Sequence, residues 1–200
     1  MNKRIDYYFS LISPWTYLGA QRLEQMAARH NAAIHPMPVD FGRIFPATGG
    51  LPLAKRAPER QKYRMMDLIR WRDFLGAKIN LEPKFFPAAE RQAALATVAA
   101  RQSLGDVAAL RLAHAVLRGV WAEEENIADP ATLQRLIERA DLDGAALIKA
   151  AQSPDVAAAY DADIEAALRR GVFGAPTYVY RDELFWGQDR LEFLDRALAR

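Results

Sequence analysis

The order of hydrophobic patterns constrains this chain more than any single motif does. Ile5-Asp6-Tyr7-Tyr8-Phe9-Ser10-Leu11 is short and rich in strand formers. Pro14 then opens a helical period that carries Leu18, Leu23 and Met26 to about His30-Asn31, and Ala33 to Val39 reads as a second strand. A strand–helix–strand opening of this length predicts parallel neighbours. From Pro58 to about Arg170 the period is helical. Tyr63, Met66, Ile69 and Leu75 recur along one face, and Ala93 to Val120 is a continuous run of good helix formers. Pro83 and Pro87 break the region early, Asp129-Pro130 restarts it with Leu133, Leu136 and Ile137, and Ser153-Pro154 opens a helix with Val156, Tyr160 and Ile164. The end returns to strands: Pro176 to Tyr180 and Leu184-Phe185-Trp186 flank Arg181-Asp182-Glu183 as a hairpin. A last helix bears Leu191, Leu194 and Leu198. The pattern predicts one α/β domain, a βαβ…ββα core (about 1–50 and 171–200) accepting an all-helical insertion (about 55–170).

Ser13-Pro14-Trp15-Thr16 lies where the first strand runs into the first helix. Dithiol redox sites are built on this plan, strand then C-P-x-C then helix, but here both cysteine positions carry hydroxyls. The chain has no cysteine at all, so dithiol chemistry is excluded and any sulfur must arrive with a ligand. Two readings stay open on these residues alone. Serine is a favoured N-cap and proline a favoured first helical residue, and Ser153-Pro154 repeats the device with no suggestion of chemistry. Against that, Ser13 sits at the carboxyl end of a strand, where ligands collect on open α/β sheets. Pro176 also stands immediately before a strand, and an X-Pro bond alone does not set it against that turn.

Composition narrows the classes. The 200 residues carry a net charge of +2, and their basic runs, such as Lys55-Arg56 and Arg169-Arg170, are short and lack interleaved aromatics. Nucleic-acid binding is therefore not expected. No stretch reaches the about 18 consecutive apolar residues of a membrane span, and the start reads against a secretory signal, so a cytoplasmic protein is expected. His30, His35 and His114 lack metal-ligand spacing, and no Walker A, G-x-G-x-x-G or G-x-S-x-G motif occurs. Gly49-Gly50 before Lys55-Arg56 reads as a loop, Glu123-Glu124-Glu125 as a solvated helix end, and Trp71, Phe74, Phe85 and Phe86 as core.

Three segments together resemble a known family: Ser13 to Gly19, Phe173-Gly174-Ala175-Pro176-Thr177, and Phe185-Trp186-Gly187-Gln188-Asp189-Arg190-Leu191. They are similar to the 2-hydroxychromene-2-carboxylate isomerases, which stand with kappa-class glutathione transferases in the DsbA-like branch of the thioredoxin fold. The resemblance covers essentially the whole chain, including the block Tyr63 to Trp71. It implies a thioredoxin-like core with a large helical insertion, glutathione as cofactor, a small aromatic carboxylate as substrate, and a homodimer. It further implies that Ser13 is catalytic and activates glutathione, that Ala175 pairs with the cysteinyl part, and that Trp186, Gly187, Gln188 and Asp189 hold the γ-glutamyl end. Arg43 is expected near the substrate carboxylate, with Leu53, Ala54 and Phe86 flanking the substrate. Relatives often carry asparagine in the loop that here reads Gly49-Gly50-Leu51-Pro52, and at Gln188. The activity implied is isomerisation of an aromatic α-keto acid by reversible thiolate addition. A transferase or peroxidase using the same serine, and a non-catalytic DsbA-like binding module, are the alternatives.

Overall fold

The computed structural model describes residues 3–200. Strand β1 (Lys3–Phe9) leads through the turn 10–13 into helix α1 (Pro14–Arg29), and β2 (Ala32–Pro38) returns beside β1. These two strands are parallel, with Ile5 opposite Ile34 and Tyr7 opposite Pro36. Late in the chain β3 (Thr177–Tyr180) and β4 (Glu183–Trp186) form an antiparallel hairpin on the other side of β1, giving the order β2-β1-β3-β4. Arg181 and Asp182 both adopt left-handed backbone, φ 49° and 64°. That is the geometry a two-residue hairpin turn demands, so β4 begins one residue earlier, at Glu183, and the connection is tighter than the sequence pattern implied.

The centre of the sheet is aromatic. Tyr7 stacks on Phe9 at 4.5 Å and on Tyr178 at 5.4 Å, and all three rings are buried. Burying β1 between layers needs its near-continuous apolar run. Helix α1 packs on β2, and α9 (Leu191–Leu198) packs on β3 and β4. The His30 ring and Arg29 reach Asp195 at 2.8 and 3.0 Å, joining the two helices.

Between β2 and β3 every regular element is helical: α2 (Phe41–Thr48), α3 (Pro58–Leu75), α4 (Arg91–Leu104), α5 (Asp106–Ala122), α6 (Pro130–Arg139), α7 (Gly144–Ala150) and α8 (Pro154–Arg169). Asp129, Asp143 and Ser153 cap α6, α7 and α8 by accepting from Thr132, Ala146 and Asp155 N–H groups. The run Ala93 to Val120 is two helices, not one. Gly105 at φ 91° ends α4 and starts α5, a conformation other residues rarely adopt. Residues 93–100 of α4 are all buried, where the helix packs among α5, α7, α8 and β2.

Two faces differ from expectation. On α3 the stripe Tyr63, Met66 and Ile69 is exposed, whereas Leu68 is buried and Met65, Trp71 and Leu75 lean on the core. Both stripes have helical spacing, so periodicity cannot choose between them. Phe74 is 77% exposed and Phe85 38% exposed, so neither is core. The acidic run is also not merely solvated, since Glu123 and Glu125 grip Arg139 at 2.8 Å and fasten α5 to α6.

Candidate active site

Ser13 caps α1. Its backbone is extended, its Oγ accepts from the Thr16 N–H at 3.2 Å, and its carbonyl accepts from the Tyr17 N–H at 3.1 Å. With Pro14 lacking an N–H, the Trp15 N–H is the free donor of this helix start. An oxygen that accepts from Thr16 still holds its own hydroxyl proton, which remains available to a ligand.

The opposing wall comes from the far end of the chain. The Ala175–Pro176 bond is cis, and β3 pairs with β1 with Tyr8 opposite Thr177. Continuing that register sets Ala175 and Pro176 beside the turn that follows β1. Among the described residues no backbone–backbone hydrogen bond uses the Ala175 N–H or C=O, and the residue is half-buried. An extended peptide ligand can therefore pair with it as an added strand. The Pro176 carbonyl accepts from the Gly187 N–H at 2.8 Å, which draws the segment 186–190 to the same place.

Two close approaches fix that segment. A Cβ on Gly174 would stand 2.2 Å from the Trp186 indole nitrogen, so only glycine admits the ring, which packs on Phe173 at 4.7 Å. A Cβ on Gly19 of α1 would stand 2.7 Å from the Gln188 Cβ. Gln188 is buried, and its side-chain oxygen accepts from Arg22 at 2.5 Å. Gln188 thus anchors the loop to α1, while Asp189 stands exposed beside Arg190 at 2.7 Å.

Trp15, Ala175, Trp186, Gly187, Gln188 and Asp189 line one cavity of about 640 Å³, the size range of small-molecule sites. Its remaining wall is α3 and the loop before it. Arg56, Arg60, Arg64, Asp67 and Trp71 follow one another at helical spacing along this wall. Among the described residues no carboxylate pairs with Arg56, Arg60 or Arg64. Burial, with the neighbouring Arg56 charge, pulls the Arg64 guanidinium down to about 10, still protonated at neutral pH. Burial raises the Asp67 carboxyl, opposed by Arg70 and aided by the like charge of Asp189. Anion-seeking arginines and three lining carboxylates, Glu59, Asp67 and Asp189, together suit a ligand that is itself zwitterionic.

The other sequence candidates lie elsewhere. Ser13 adjoins the cavity through Trp15 but is not among its lining residues. Arg43, on α2, is engaged with Asp161 of α8 at 2.5 Å and does not line the cavity either. Leu53 and Ala54 form a short 3-10 turn just ahead of Arg56. Phe86 packs on Trp121 at 5.0 Å and faces the Arg64 guanidinium at 5.6 Å, so it reaches the cavity only through that arginine. The α3 wall also holds Trp71, which leans on the core as expected. Its signal is present in the sequence, as Arg60-x-x-x-Arg64-x-x-Asp67-x-x-x-Trp71.

Comparison with known proteins agrees with this architecture. The family model described as a DSBA-like thioredoxin domain matches residues 4–199. A 2-hydroxychromene-2-carboxylate isomerase of Sphingobium xenophagum is 33% identical, over 99% of this chain and 99% of its own length. One of Pseudomonas putida is 31% identical, over 98% and 94%. A solved 2-hydroxychromene-2-carboxylate isomerase structure superposes with a TM-score of 0.81 at 28% identity, covering 98% of this chain and 95% of that one. Spanning the sheet, the helical block and the cavity alike, this likeness places the chain in the DSBA-like thioredoxin family and, within it, among the 2-hydroxychromene-2-carboxylate isomerases.

Proposed function

We propose that the protein is a glutathione-dependent isomerase that interconverts 2-hydroxychromene-2-carboxylate and trans-o-hydroxybenzylidenepyruvate. The observation that carries this reading is the convergence on one cavity of the α1 start, the free Ala175 backbone, Asp189 and three arginines without carboxylate partners. The donor set fits glutathione group by group. Ala175 would pair with the cysteinyl backbone, Asp189 and Asp67 would take the ammonium, and Arg60 and Arg64 would take a carboxylate. Trp15 and Trp186 would close the apolar sides.

Bound there, glutathione would supply a nucleophilic sulfur for reversible addition to an electron-poor conjugated carbon of the substrate. A free thiol titrates near pH 8.5, so only a few per cent would be ionised at neutral pH. Ser13 would answer that by donating a hydrogen bond from its hydroxyl to the sulfur, which favours the thiolate. The Trp15 N–H and the positive end of the α1 dipole act in the same direction. A serine holds a sulfur anion without forming a disulfide to it. Arg43 would orient the substrate carboxylate once released from Asp161, with Leu53, Ala54 and Phe86 shaping the substrate side. In this reading the protein works in the cytoplasm, in aromatic catabolism, as a homodimer. The exposed Met66 and Phe74 of α3 supply apolar surface that a second copy would cover.

The test is a glutathione titration by calorimetry, followed by assay on hydroxychromene carboxylate. Ser13→Ala is expected to lower thiol-dependent turnover ~100-fold, the loss typical of one donor at a developing anion. Undiminished turnover in that variant would remove Ser13 from the mechanism. Activity confined to chlorodinitrobenzene or hydroperoxides would place the chain with the transferases instead. Absence of glutathione binding would leave a DsbA-like binding module.

A further inference from the structure

Behind the Ser13 turn lies a carboxylate that the reading above does not use. Glu90, just ahead of α4, reaches across to the end of β1. Its two carboxylate oxygens accept from the Ser10 hydroxyl at 2.9 and 3.0 Å, and one of them accepts from the Leu11 N–H at 2.6 Å. The Ile12 N–H in turn donates to the Ser10 Oγ at 3.3 Å, and the Ser13 N–H donates to the Ser10 carbonyl at 3.2 Å. Every residue between the end of β1 and Ser13 is thus held, directly or through Ser10, by one side chain from the helical block. Ser10 and Leu11 are buried. Glu90 as a whole is half-buried, but its carboxylate end is enclosed.

We propose that Glu90 is a positioning residue for Ser13, and that its ionised form clamps the turn while its protonated form loosens it. An ionised carboxylate is an acceptor only and suits the converging Ser10 and Leu11 donors, whereas the neutral acid gives up an acceptor position and brings a proton of its own. The charged surroundings set where the change falls. Asp40, the N-cap of α2, faces Glu90 with like charge. Tyr160 of α8 lies in the field of Glu90 and Asp40 on one side and of Arg91 and Arg43 on the other. Arg91 is spread over the Tyr160 ring at 5.5 Å, and Arg43 is paired with Asp161, so neither arginine is given to Glu90. Burial raises the Glu90 carboxyl to about 7, against the hydrogen bonds from Ser10, Leu11 and Ile12 that favour the charged form. Protonation therefore falls near neutral pH.

The proposal rests on the Ser13 reading for its consequence, but its core is measurable on the unliganded protein. In amide spectra recorded from about pH 5 to pH 9, the Leu11 and Ile12 resonances are expected to move together with a midpoint of about 7. Glu90→Gln should abolish that movement, and Ser10→Ala, which removes a bond favouring the charged form, should raise the midpoint. Flat Leu11 and Ile12 resonances in the wild type, or an unchanged titration in Glu90→Gln, would overturn the proposal. Should Glu90→Gln fail to fold, the direction of the Ser10→Ala shift decides. The consequence is read with S-methylglutathione, which has no thiol to titrate. Its dissociation constant is expected to rise at least threefold from about pH 8 to pH 6 in the wild type and to stay level in Glu90→Gln. No binding of this probe at either pH would count against the glutathione reading, while the amide titration still settles the role of Glu90.

Discussion

Ser13 illustrates how one side chain serves fold and chemistry through two different parts of the same group. Its oxygen lone pair accepts from Thr16 and caps α1, while its proton is left for a ligand. Ser13→Ala should therefore also lose about 1 kcal/mol of stability, the usual cost of an N-cap, measurable by urea unfolding. Ser13→Asp should keep the cap while offering no hydroxyl proton, and so separates the two effects. Arg64 is the complementary case, a cation without a carboxylate partner, held over Phe86. Arg64→Met keeps much of the side-chain volume, and it is expected to weaken glutathione binding about tenfold, read by calorimetry, with little change in melting temperature. A charge-assisted hydrogen bond lost from a site of this exposure is of that size.

At the scale of elements, Gly174 shows how much of the site depends on the path of one backbone. Adding a methyl group there drives it into the Trp186 indole. Gly174→Ala is expected to expel that ring from its place on Phe173, changing tryptophan fluorescence and weakening glutathione binding severalfold, with a stability loss of about 1–3 kcal/mol. Much of this was legible beforehand. The strand order at both ends of the chain follows from β-branched and aromatic runs, and the Ser13 and Ala175-Pro176 segments could be paired before any coordinates. The α3 wall could not be read in the same way. Its helix carries two apolar stripes of equal spacing, and only packing decides that Leu68 goes inward and Tyr63 outward. Likewise Glu90 has no local signature, since its meaning depends on β1 arriving opposite it from 79 residues away.

For the whole molecule, the Glu90 carboxyl makes stability depend on pH in an unusual direction. Its folded value of about 7 lies above the ordinary 4.5. The folded state therefore keeps a proton that the unfolded chain has released, and its contribution is full below pH 4.5 and lost as pH rises through 7. The shift corresponds to about 3 kcal/mol between those limits. Urea midpoints measured at about pH 5 and pH 8 should accordingly diverge more in the wild type than in Glu90→Gln. The form of Glu90 that best holds the site is the form the fold least favours, which sets stability against activity in one residue.

The shallow seating of α3 has a consequence of a different kind. Of its 18 residues only Leu68 is fully buried, yet the helix supplies Arg60, Arg64, Asp67 and Trp71 to the cavity. Random substitution along this helix is thus cheap for folding and consequential for recognition. Lineages descended from a chain like this one should diverge in what they turn over by drift along α3 first, long before the sheet, Ser13 or the proline opposite it begins to change.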